Sequence, residues 1–248
     1  MKQVNEKIRL DKYVASQLGI SRTDAKRMLR SGCVTVNGAV CKTGEKLLST
    51  SDDTVECNGK KLSYKKYAYI MLNKPKGVVS ASRSPEDRTV VDLVPEELKR
   101  KGLFPAGRLD KDSTGFVLIT DDGEFAHSVL SPTRHVPKTY LVTAVSALNE
   151  DSLARFESGV ELSDGVTKAA RISFERHDGL GRAVYAVTLT EGRYHQIKRM
   201  FAALGSGVAE LHRVRFGGLE LDKSLLPGEC RELLPEELAL IDKKATIQ

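Results

Sequence analysis

The segment Pro105–Gly123 holds the side chains best placed for chemistry. It puts one carboxylate, Asp110, between the basic residues Arg108 and Lys111 on a turn. An apolar run, Phe116–Thr120, follows and ends in an Asp-Asp-Gly turn, a pattern that predicts a strand covered on both faces. Catalytic side chains are often held on loops anchored to such strands, where a carboxylate serves as a nucleophile or a base. Ordinary solvated turn residues are the alternative interpretation.

A second segment, Glu191–Gly205, predicts a helix with a charged side chain at the margin of its apolar face. Its apolar residues recur at helical spacing and are Ile197, Met200, Phe201 and Leu204. Lys198 lies on the margin of this stripe, whereas His195 and Arg199 are expected to point away from it. A lysine at such a margin usually extends its stem over apolar surface, so packing is the alternative to a functional role.

The composition is that of a folded protein with one large domain, or a large and a small one. The chain has 248 residues, of which 40% are hydrophobic, enough for a sizeable core. No apolar run approaches the ~20 residues of a membrane span, the N-terminus has no signal-peptide pattern, and the four cysteines show no C-x-x-C spacing. We therefore expect a cytoplasmic protein with reduced thiols and no metal site. Without a Rossmann fingerprint or a P-loop, no nucleotide cofactor is expected.

The charge distribution singles out the N-terminal quarter of the chain. Residues 1–66 contain 14 Lys and Arg against 7 Asp and Glu, a net charge of +7. The remaining 182 residues contain 25 against 26, a net charge of −1, and the whole chain carries +6. This asymmetry predicts a polyanion-binding module attached to a near-neutral body.

The basic module is predicted to contain two helices followed by a hairpin. The first helix covers Arg9–Leu18, and the second begins after Ser21, which has Asp24 in the capping-box position. The exposed face of the second helix carries Arg22, Lys26 and Arg30, with Arg27 beside them. Asn37 and Gly38 between alternating residues predict the hairpin turn. Four cations on so short a helix favour a binding surface over plain solvated surface.

The body of the chain is predicted to be α+β, with a mixed, mainly antiparallel sheet. Predicted strands cover residues 68–72, 116–120, 138–145, 168–174 and 183–190, and predicted helices cover 124–130, 151–158 and 197–204. Short turns join several strands, and the helices do not alternate regularly with them. Residues 59–67 are lysine-rich and are predicted to link a small domain, 1–58, to a large domain, 68–248.

A family resemblance gives the Asp110 turn a specific role. The sequence GRLDKDSTG at 107–115, followed by an apolar strand and a D-G turn, resembles the catalytic motif of the pseudouridine synthases, most closely of the branch that modifies ribosomal RNA. The Asp of that motif is the catalytic carboxylate of the family, which assigns the role to Asp110 and leaves Asp112 dispensable. Phe116 stands where Leu is usual, a conservative departure. The resemblance implies that Arg108 and Lys111 hold flanking phosphates.

Two motifs of the same family resemble segments on either side of this turn. NKPKG at 73–77 resembles its KP-x-G turn beside the active cleft, which places Lys74 next to RNA. KTYLV at 138–142 resembles the motif whose Tyr, here Tyr140, lies against the target base. An aromatic ring suits an extruded base because stacking recovers part of the cost of unstacking, whereas core packing is the alternative for this residue.

The C-terminal part of the chain resembles the family in two more segments. EGRYHQIKRMF at 191–201 resembles the motif whose basic residue pairs with the catalytic Asp, which implies a partly buried pair between Lys198 and Asp110. Lysine lacks the bidentate fork of the Arg found in other members. His195 and Arg199 in this motif, and Arg213 in LHRVRFGGL at 211–219, are expected to face RNA.

The N-terminal module resembles the small S4-type RNA-binding domain. The resemblance covers residues 7–55 and rests on RLDKYV, SRTDAKRMLRSG and VTVNG. In that domain the basic helix and the turn after it contact the RNA backbone, and such contacts position a protein without reading sequence. The resemblance implies RNA contacts for the four cations of the second helix.

Together the resemblances imply a ribosomal RNA pseudouridine synthase: an S4-like domain followed by a catalytic domain with a mainly antiparallel mixed sheet. The reaction involves no redox change and no net hydrolysis, so a carboxylate needs no cofactor to start it. The segments 191–205 and 211–219 look most like the enzymes that act on one small-subunit uridine, uridine 516 of 16S rRNA. A large-subunit synthase and a non-catalytic rRNA-binding assembly factor are the alternatives. We expect a monomer with ribosomal RNA as its partner.

Overall fold

The computed structural model of the protein describes residues 6–131 and 133–242. The outer ends of the two predicted domains, 1–5 and 243–248, lie outside the described residues. The described residues group into two units. The first comprises residues up to Ala68 together with Pro95–Leu103, and the second comprises Tyr69–Val94 together with residues from Phe104 onward.

The first unit contains two helices and two small sheets. Its elements in chain order are β1 (Lys7–Arg9), α1 (Leu10–Leu18), α2 (Arg22–Ser31), β2 (Val34–Val36), β3 (Ala39–Val40), β4 (Leu47–Ser49), β5 (Val55–Cys57) and β6 (Lys60–Leu62). Strand β1 pairs with β4, and the others form an antiparallel sheet in the order β3-β2-β5-β6. The helices bury the residues that recur at helical spacing, including Leu10 and Val14 on α1 and Ala25 and Leu29 on α2.

Local sequence signals determine the start of α2 and the tip of the hairpin. The Ser21 side chain accepts a hydrogen bond from the backbone N–H of Asp24 at 3.1 Å, as an N-cap does. Asn37 and Gly38 have φ of 53° and 80°, which suits the tight turn between β2 and β3. The predicted helix start and the predicted hairpin are both confirmed.

The unit boundaries differ from the predicted ones at two places. Strand β6 lies inside the predicted linker, 59–67, and pairs with β5; the lysines there belong to the edge of a sheet, where charged residues discourage further pairing. Pro95–Leu103 lies inside the predicted large domain but belongs to the first unit. There Arg100 donates to the carbonyl oxygen of Lys66, and a side chain at Gly19 would lie 2.7 Å from the carbonyl oxygen of Lys99. Such long-range contacts leave no local pattern in the sequence.

The second unit is built on one large sheet. Its elements are β7 (Tyr69–Lys74), a 3₁₀ turn (Val91–Leu93), β8 (Phe104–Ala106), β9 (Thr114–Thr120), α3 (Gly123–Leu130), β10 (Lys138–Ala144), α4 (Glu150–Ser158), β11 (Glu161–Leu162), β12 (Gly165–Val166), β13 (Arg171–His177), β14 (Ala183–Leu189), α5 (Gln196–Ala203), β15 (Val208–Phe216), β16 (Leu219–Glu220), β17 (Cys230–Glu232) and α6 (Pro235–Asp242). The predicted strand at 168–174 forms three residues later, as β13. None of the described helices is long and apolar enough to cross a membrane.

The predicted α+β class with a mainly antiparallel sheet is confirmed. The strand order is β13-β14-β10-β15-β9-β7-β17, with β16 beside β15 and β8 beside β9. Among the described residues, β15 and β9 run parallel, and every other strand pair of this sheet is antiparallel. Strand β9 lies near the middle of the sheet and is buried from Gly115 to Thr120, as the apolar run predicts.

The parallel contact fixes the end of the 107–115 motif against β15. Thr114 lies opposite His212, and Gly115 lies opposite Arg213. Gly115 has φ of 98°, and a Cβ there would lie 2.3 Å from the carbonyl oxygen of Arg213. Glycine is therefore required for the two strands to approach this closely.

Candidate active site

The loop between β8 and β9 carries Asp110 and is fastened to the segment that follows β7. Ser80 Oγ accepts a hydrogen bond from the Leu109 N–H at 3.0 Å and donates to the Leu109 carbonyl oxygen at 2.9 Å. The Gly77 N–H donates to the carbonyl oxygen of Lys111 at 2.8 Å. The backbone is therefore held on both sides of Asp110, whose side chain is 29% exposed.

Lys74 supports this loop from inside the protein. Its side chain is completely buried. Nζ donates to the carbonyl oxygens of Ser113 at 2.6 Å, Pro75 at 3.1 Å and Lys111 at 3.3 Å. Burial lowers the pKa of Lys74 to about 8, although the nearby carboxylates oppose this shift. Lys74, which the family resemblance placed next to RNA, thus has its ammonium enclosed by the backbone of the loop.

Lys198 lies in the first turn of α5 and is shared between two carboxylates. Nζ is 2.7 Å and 2.8 Å from the two side-chain oxygens of Asp112 and 3.3 Å from Asp110 Oδ2. The predicted pair with Asp110 is present, but Asp112 is the nearer partner. Burial acts in the opposite direction, yet hydrogen bonding to Asp112 and the charge of Asp110 raise the pKa of Lys198. The same hydrogen bonds lower the pKa of Asp112, so both groups are charged near neutral pH.

His195 faces Asp110, contrary to the expectation that it points away from the side of Lys198. Its Nε2 atom lies 3.3 Å from Asp110 Oδ1. His195 precedes α5 and has φ of 46°, so the helical projection does not apply to it. The two side-chain oxygens of Asp110 are thus flanked by His195 on one side and Lys198 on the other. Among the described residues, no three His, Cys, Asp or Glu side chains are arranged to hold a metal ion.

Tyr140 and Arg213 lie opposite each other on β10 and β15. The Tyr140 ring is half-buried against the core, and the Arg213 guanidinium carbon is 6.0 Å from its centre. Arg213 is 2% exposed and donates from Nε to the carbonyl oxygen of Phe116 at 2.6 Å. Arg213, which was expected to face RNA, is therefore buried, joins β15 to β9 and lies beside the ring of Tyr140.

The other predicted RNA-binding residues of the second unit lie nearer the surface. Arg108 is exposed, and Lys111 is exposed and pairs with Asp87 at 2.6 Å. Arg199 donates to Asp164 in the turn between β11 and β12. Arg199 therefore holds that turn beside α5, and Lys111 likewise links its loop to Asp87.

The predicted RNA-binding helix α2 presents its four cations in two ways. Asp11 on α1 is completely buried and accepts hydrogen bonds from Arg22 at 2.8 Å and 2.9 Å, with Lys26 Nζ at 3.9 Å. Burial opposes ionisation, but hydrogen bonds from the neighbouring arginines lower the pKa of Asp11. Arg27 and Arg30 extend from the exposed side of the helix. One buried carboxylate thus orients part of the basic face, and the remainder, with Arg27 paired to Asp24 at 3.4 Å, lies at the surface.

Two residues of the site were not identified from the sequence. Asp112 was set aside because the motif assigns the carboxylate role to Asp110, although the D-x-D spacing puts two carboxylates within reach of one cation. Tyr194 lies within the 191–201 motif without an assigned role, yet its ring stacks on His195 beside Asp110. An aromatic residue next to a candidate catalytic segment, outside its apolar stripe, was the available signal.

Replacing Lys74 with Met is expected to destabilise the protein. The substitution leaves the buried carbonyl oxygens of Ser113 and Lys111 without their donor, at a cost of roughly 1–3 kcal/mol. Denaturant unfolding of Lys74→Met measures the loss, with Lys76→Met, an exposed lysine of the same turn, as the matched control. Equal stability of the two variants would contradict the supporting role of Lys74.

The pH dependence of the free energy of unfolding, compared between wild type and Lys74→Met, gives a second measurement of the role of Lys74. Because the pKa of Lys74 is about 8 in the folded protein and 10.5 ordinarily, the unfolded chain binds more protons between these values. The contribution of Lys74 to the free energy of unfolding therefore rises with pH across that window. The difference between wild type and Lys74→Met should shift in favour of wild type from about pH 8 to about pH 10.5. A difference that stays constant across this pH range would rule out the lowered pKa of Lys74.

Comparisons with known proteins agree on one family. Residues 68–203 match the RNA pseudouridylate synthase family, and residues 8–54 match the S4 domain. Ribosomal small subunit pseudouridine synthase A of Escherichia coli (strain K12) is 44% identical over 238 residues, which cover 94% of this chain and 100% of the relative. The uncharacterized RNA pseudouridine synthase YtzG of Bacillus subtilis (strain 168) is 41% identical over 237 residues, 95% of this chain and 99% of the relative.

A solved structure gives the same result. A crystal structure of a pseudouridylate synthase is 37% identical in sequence and has a TM-score of 0.65, covering 94% of this chain and 99% of that one. The family match extends over more than half of the chain, and the relatives align along nearly all of it. This chain therefore belongs to the RNA pseudouridylate synthase family and carries an N-terminal S4 domain.

Proposed function

We propose that this protein is a ribosomal RNA pseudouridine synthase that uses Asp110 to isomerise a uridine of small-subunit rRNA, with uridine 516 of 16S rRNA as the expected target. The observation that carries the proposal is the setting of Asp110, with Lys198 and His195 each 3.3 Å from one of its oxygens. Membership of the family supplies the reaction class. Relatives named small subunit pseudouridine synthase A support the choice of subunit.

The reaction exchanges one bond of uracil for another. The N1–C1′ glycosidic bond breaks and a C5–C1′ bond forms, while C5 loses its proton and N1 gains one, so no oxidation state changes. Asp110 can start this by attacking the sugar or the base, or by removing a proton from the sugar. All three routes use a carboxylate oxygen of Asp110. Lys198 makes its shorter contacts to Asp112 and lies 3.3 Å from Asp110.

Tyr140 is proposed to lie against the target uracil. An extruded base loses its stacking partners, and an aromatic ring compensates for part of that loss. The position of the ring at the margin of the core, beside the buried guanidinium of Arg213, supports this role because it restricts the orientation of the ring before RNA binds.

The S4 domain is proposed to supply affinity through the exposed cations of α2. Their removal should flatten the salt dependence of rRNA binding, since each lost phosphate contact removes about 0.9 from the log–log slope for duplex and about 0.7 for single strands. Changing Lys26, Arg27 and Arg30 to Gln should therefore reduce the slope by roughly 2–3. Arg22 is kept because it binds the buried Asp11.

The matched control removes the same charge from the second unit. Arg155, Arg176 and Lys223 are exposed there, and their replacement by Gln should leave the slope nearly unchanged. Binding isotherms at several salt concentrations measure both variants. If the α2 variant keeps the wild-type slope, the catalytic body makes the phosphate contacts and the proposed role of α2 is wrong.

One experiment separates the proposed function from its alternatives. Purified protein is incubated with naked 16S rRNA, with a partly assembled small subunit and with 23S rRNA, and new pseudouridines are mapped. A single modified small-subunit uridine supports the proposal, and modification of 23S rRNA alone would indicate a large-subunit synthase. No modification of any substrate, together with tight rRNA binding, would indicate a non-catalytic assembly factor.

The proposal also specifies the working state of the enzyme. We propose that it acts as a cytoplasmic monomer with ribosomal RNA as its partner. Analytical ultracentrifugation of the protein with and without its rRNA fragment measures the stoichiometry, and a 2:1 complex would contradict the monomer.

A further inference from the structure

Tyr194 presents a largely exposed aromatic ring beside the proposed catalytic carboxylate. The side chain is 77% exposed, and one face of its ring stacks on His195, with ring centres 3.9 Å apart and an angle of 16° between the planes. A stack with a single partner leaves the second face of Tyr194 open. Burying such a ring would favour folding, so its exposure calls for a partner other than the core.

The backbone that carries the two rings is held firmly in place. Arg193 donates to the carbonyl oxygens of Gly165 at 2.9 Å and Val166 at 2.7 Å, in the β11–β12 hairpin. The Arg193 N–H donates to the side chain of Gln196 at 2.9 Å, and Arg199 donates to the Tyr194 carbonyl oxygen at 3.3 Å. The exposed ring is thus presented on a fixed support, and little conformational entropy is lost when a ligand stacks on it.

His195 contacts both this ring and the proposed catalytic carboxylate, Asp110. Its Nε2 edge lies 3.3 Å from Asp110, whereas Tyr194 stacks on the face of the imidazole. A base on the open face of Tyr194 therefore lies beyond the phenol ring from His195. The base that reacts must reach Asp110 itself, so a base on Tyr194 belongs to another nucleotide.

We infer that Tyr194, backed by His195, forms a stacking subsite for an unpaired RNA base next to the target uridine. The inference rests on the proposed function, because the RNA is located by the role of Asp110. Stacking accepts any nucleobase, since every base has an aromatic face. The subsite therefore recognises that the neighbouring nucleotide is unpaired and extruded, and it adds affinity without selecting a sequence.

Kinetics of Tyr194 variants test the inference. Tyr194→Ala should raise KM for an rRNA fragment by about 5- to 150-fold, the range found for removal of one base–aromatic stack, with kcat nearly unchanged. Tyr194→Phe keeps the ring and should match the wild type. Phe174→Ala, which removes an exposed aromatic ring on β13, is the matched control and should leave KM unchanged. A fall in kcat at constant KM for Tyr194→Ala would overturn the subsite and indicate that the ring only orients His195.

A binding measurement separates this inference from the proposed function. An RNA fragment carries 2-aminopurine at each position flanking the target uridine in turn, and its fluorescence is recorded in complex with wild type, Tyr194→Ala and Tyr194→Phe. At one position the signal should be quenched by wild type and Tyr194→Phe and not by Tyr194→Ala. Equal signals from all three at every position would refute the subsite even if pseudouridine forms. Quenching without any pseudouridine formation would instead refute the proposed function and leave the subsite standing.

Discussion

Asp110→Asn is expected to lose on the order of 10⁴-fold or more in turnover while it still binds rRNA. An amide has nearly the shape of a carboxylate, but it can neither attack the sugar or the base nor accept a proton. The loop contacts that hold this position come from the backbone of Leu109 and Lys111, so the substitution should leave the fold intact. Pseudouridine formation under single-turnover conditions and filter binding of the same rRNA fragment measure the two effects.

Asp112→Asn is the matched control for Asp110→Asn. Both carboxylates lie on one loop and contact the ammonium of Lys198, so the two variants remove the same charge from the same place. Asp112 is 70% exposed and was expected to be dispensable; its contacts to Lys198 lead us to expect a measurable but far smaller loss. Near-normal turnover of Asp110→Asn, or an equal loss in both variants, would overturn the assignment of the catalytic carboxylate.

Lys198→Met is expected to lose most of its turnover. Met keeps the packing of the lysine stem but removes the cation that lies 3.3 Å from Asp110 Oδ2 and binds both oxygens of Asp112. The pH–rate profile of the variant, set against that of the wild type, measures the effect of removing the charge. Lys198→Arg keeps the charge and should retain substantial activity. A profile for Lys198→Met that overlays the wild type would reduce Lys198 to a packing residue.

The stability of Lys198→Met gives an independent readout of the same network. Removing one partner of a fully buried pair costs ~3–5 kcal/mol, but Lys198 and Asp110 are 26% and 29% exposed, and water can solvate the carboxylates that remain. The loss should therefore be well below that range. Adding Asp110→Asn to Lys198→Met should recover stability without recovering turnover. If the double variant is no more stable than Lys198→Met, the Asp110 carboxylate does not destabilise the protein when Lys198 is absent.

The local elements around the site could be predicted because short-range interactions determine them. The cap at Ser21, the Asn37-Gly38 turn and the apolar stripe of α5 depend on neighbouring residues or on one helical turn. The buried β9 and the polar loop before it follow likewise from an apolar run bounded by turn residues. These signals, together with the family resemblance, were sufficient to predict that Lys198 lies against Asp110, whereas the role of Tyr140 stays a prediction.

The N-terminal boundary shows where composition misleads. Lysine-rich residues next to a change in charge suggested a linker, but two of these lysines lie on β6, at the edge of the sheet. A three-residue strand has too weak a pattern to be recognised alone, and pairing with β5 decides its conformation. Pro95–Leu103 belongs to the first unit, and this grouping likewise depends on contacts between residues far apart in the sequence.

The sequence alone determined the chemical groups of this protein, and the tertiary structure decided which of them face one another. Lys74 and Arg213 were expected to contact RNA because of the motifs that contain them, yet the structure buries both side chains. The left-handed backbone at His195 turns its imidazole onto Asp110, and the loop brings Asp112 closer to Lys198 than Asp110. Spacing along a chain fixes neighbours within one element, whereas contacts between distant elements depend on strand order and loop conformation. Strand order and loop conformation are determined only when the whole sheet has formed.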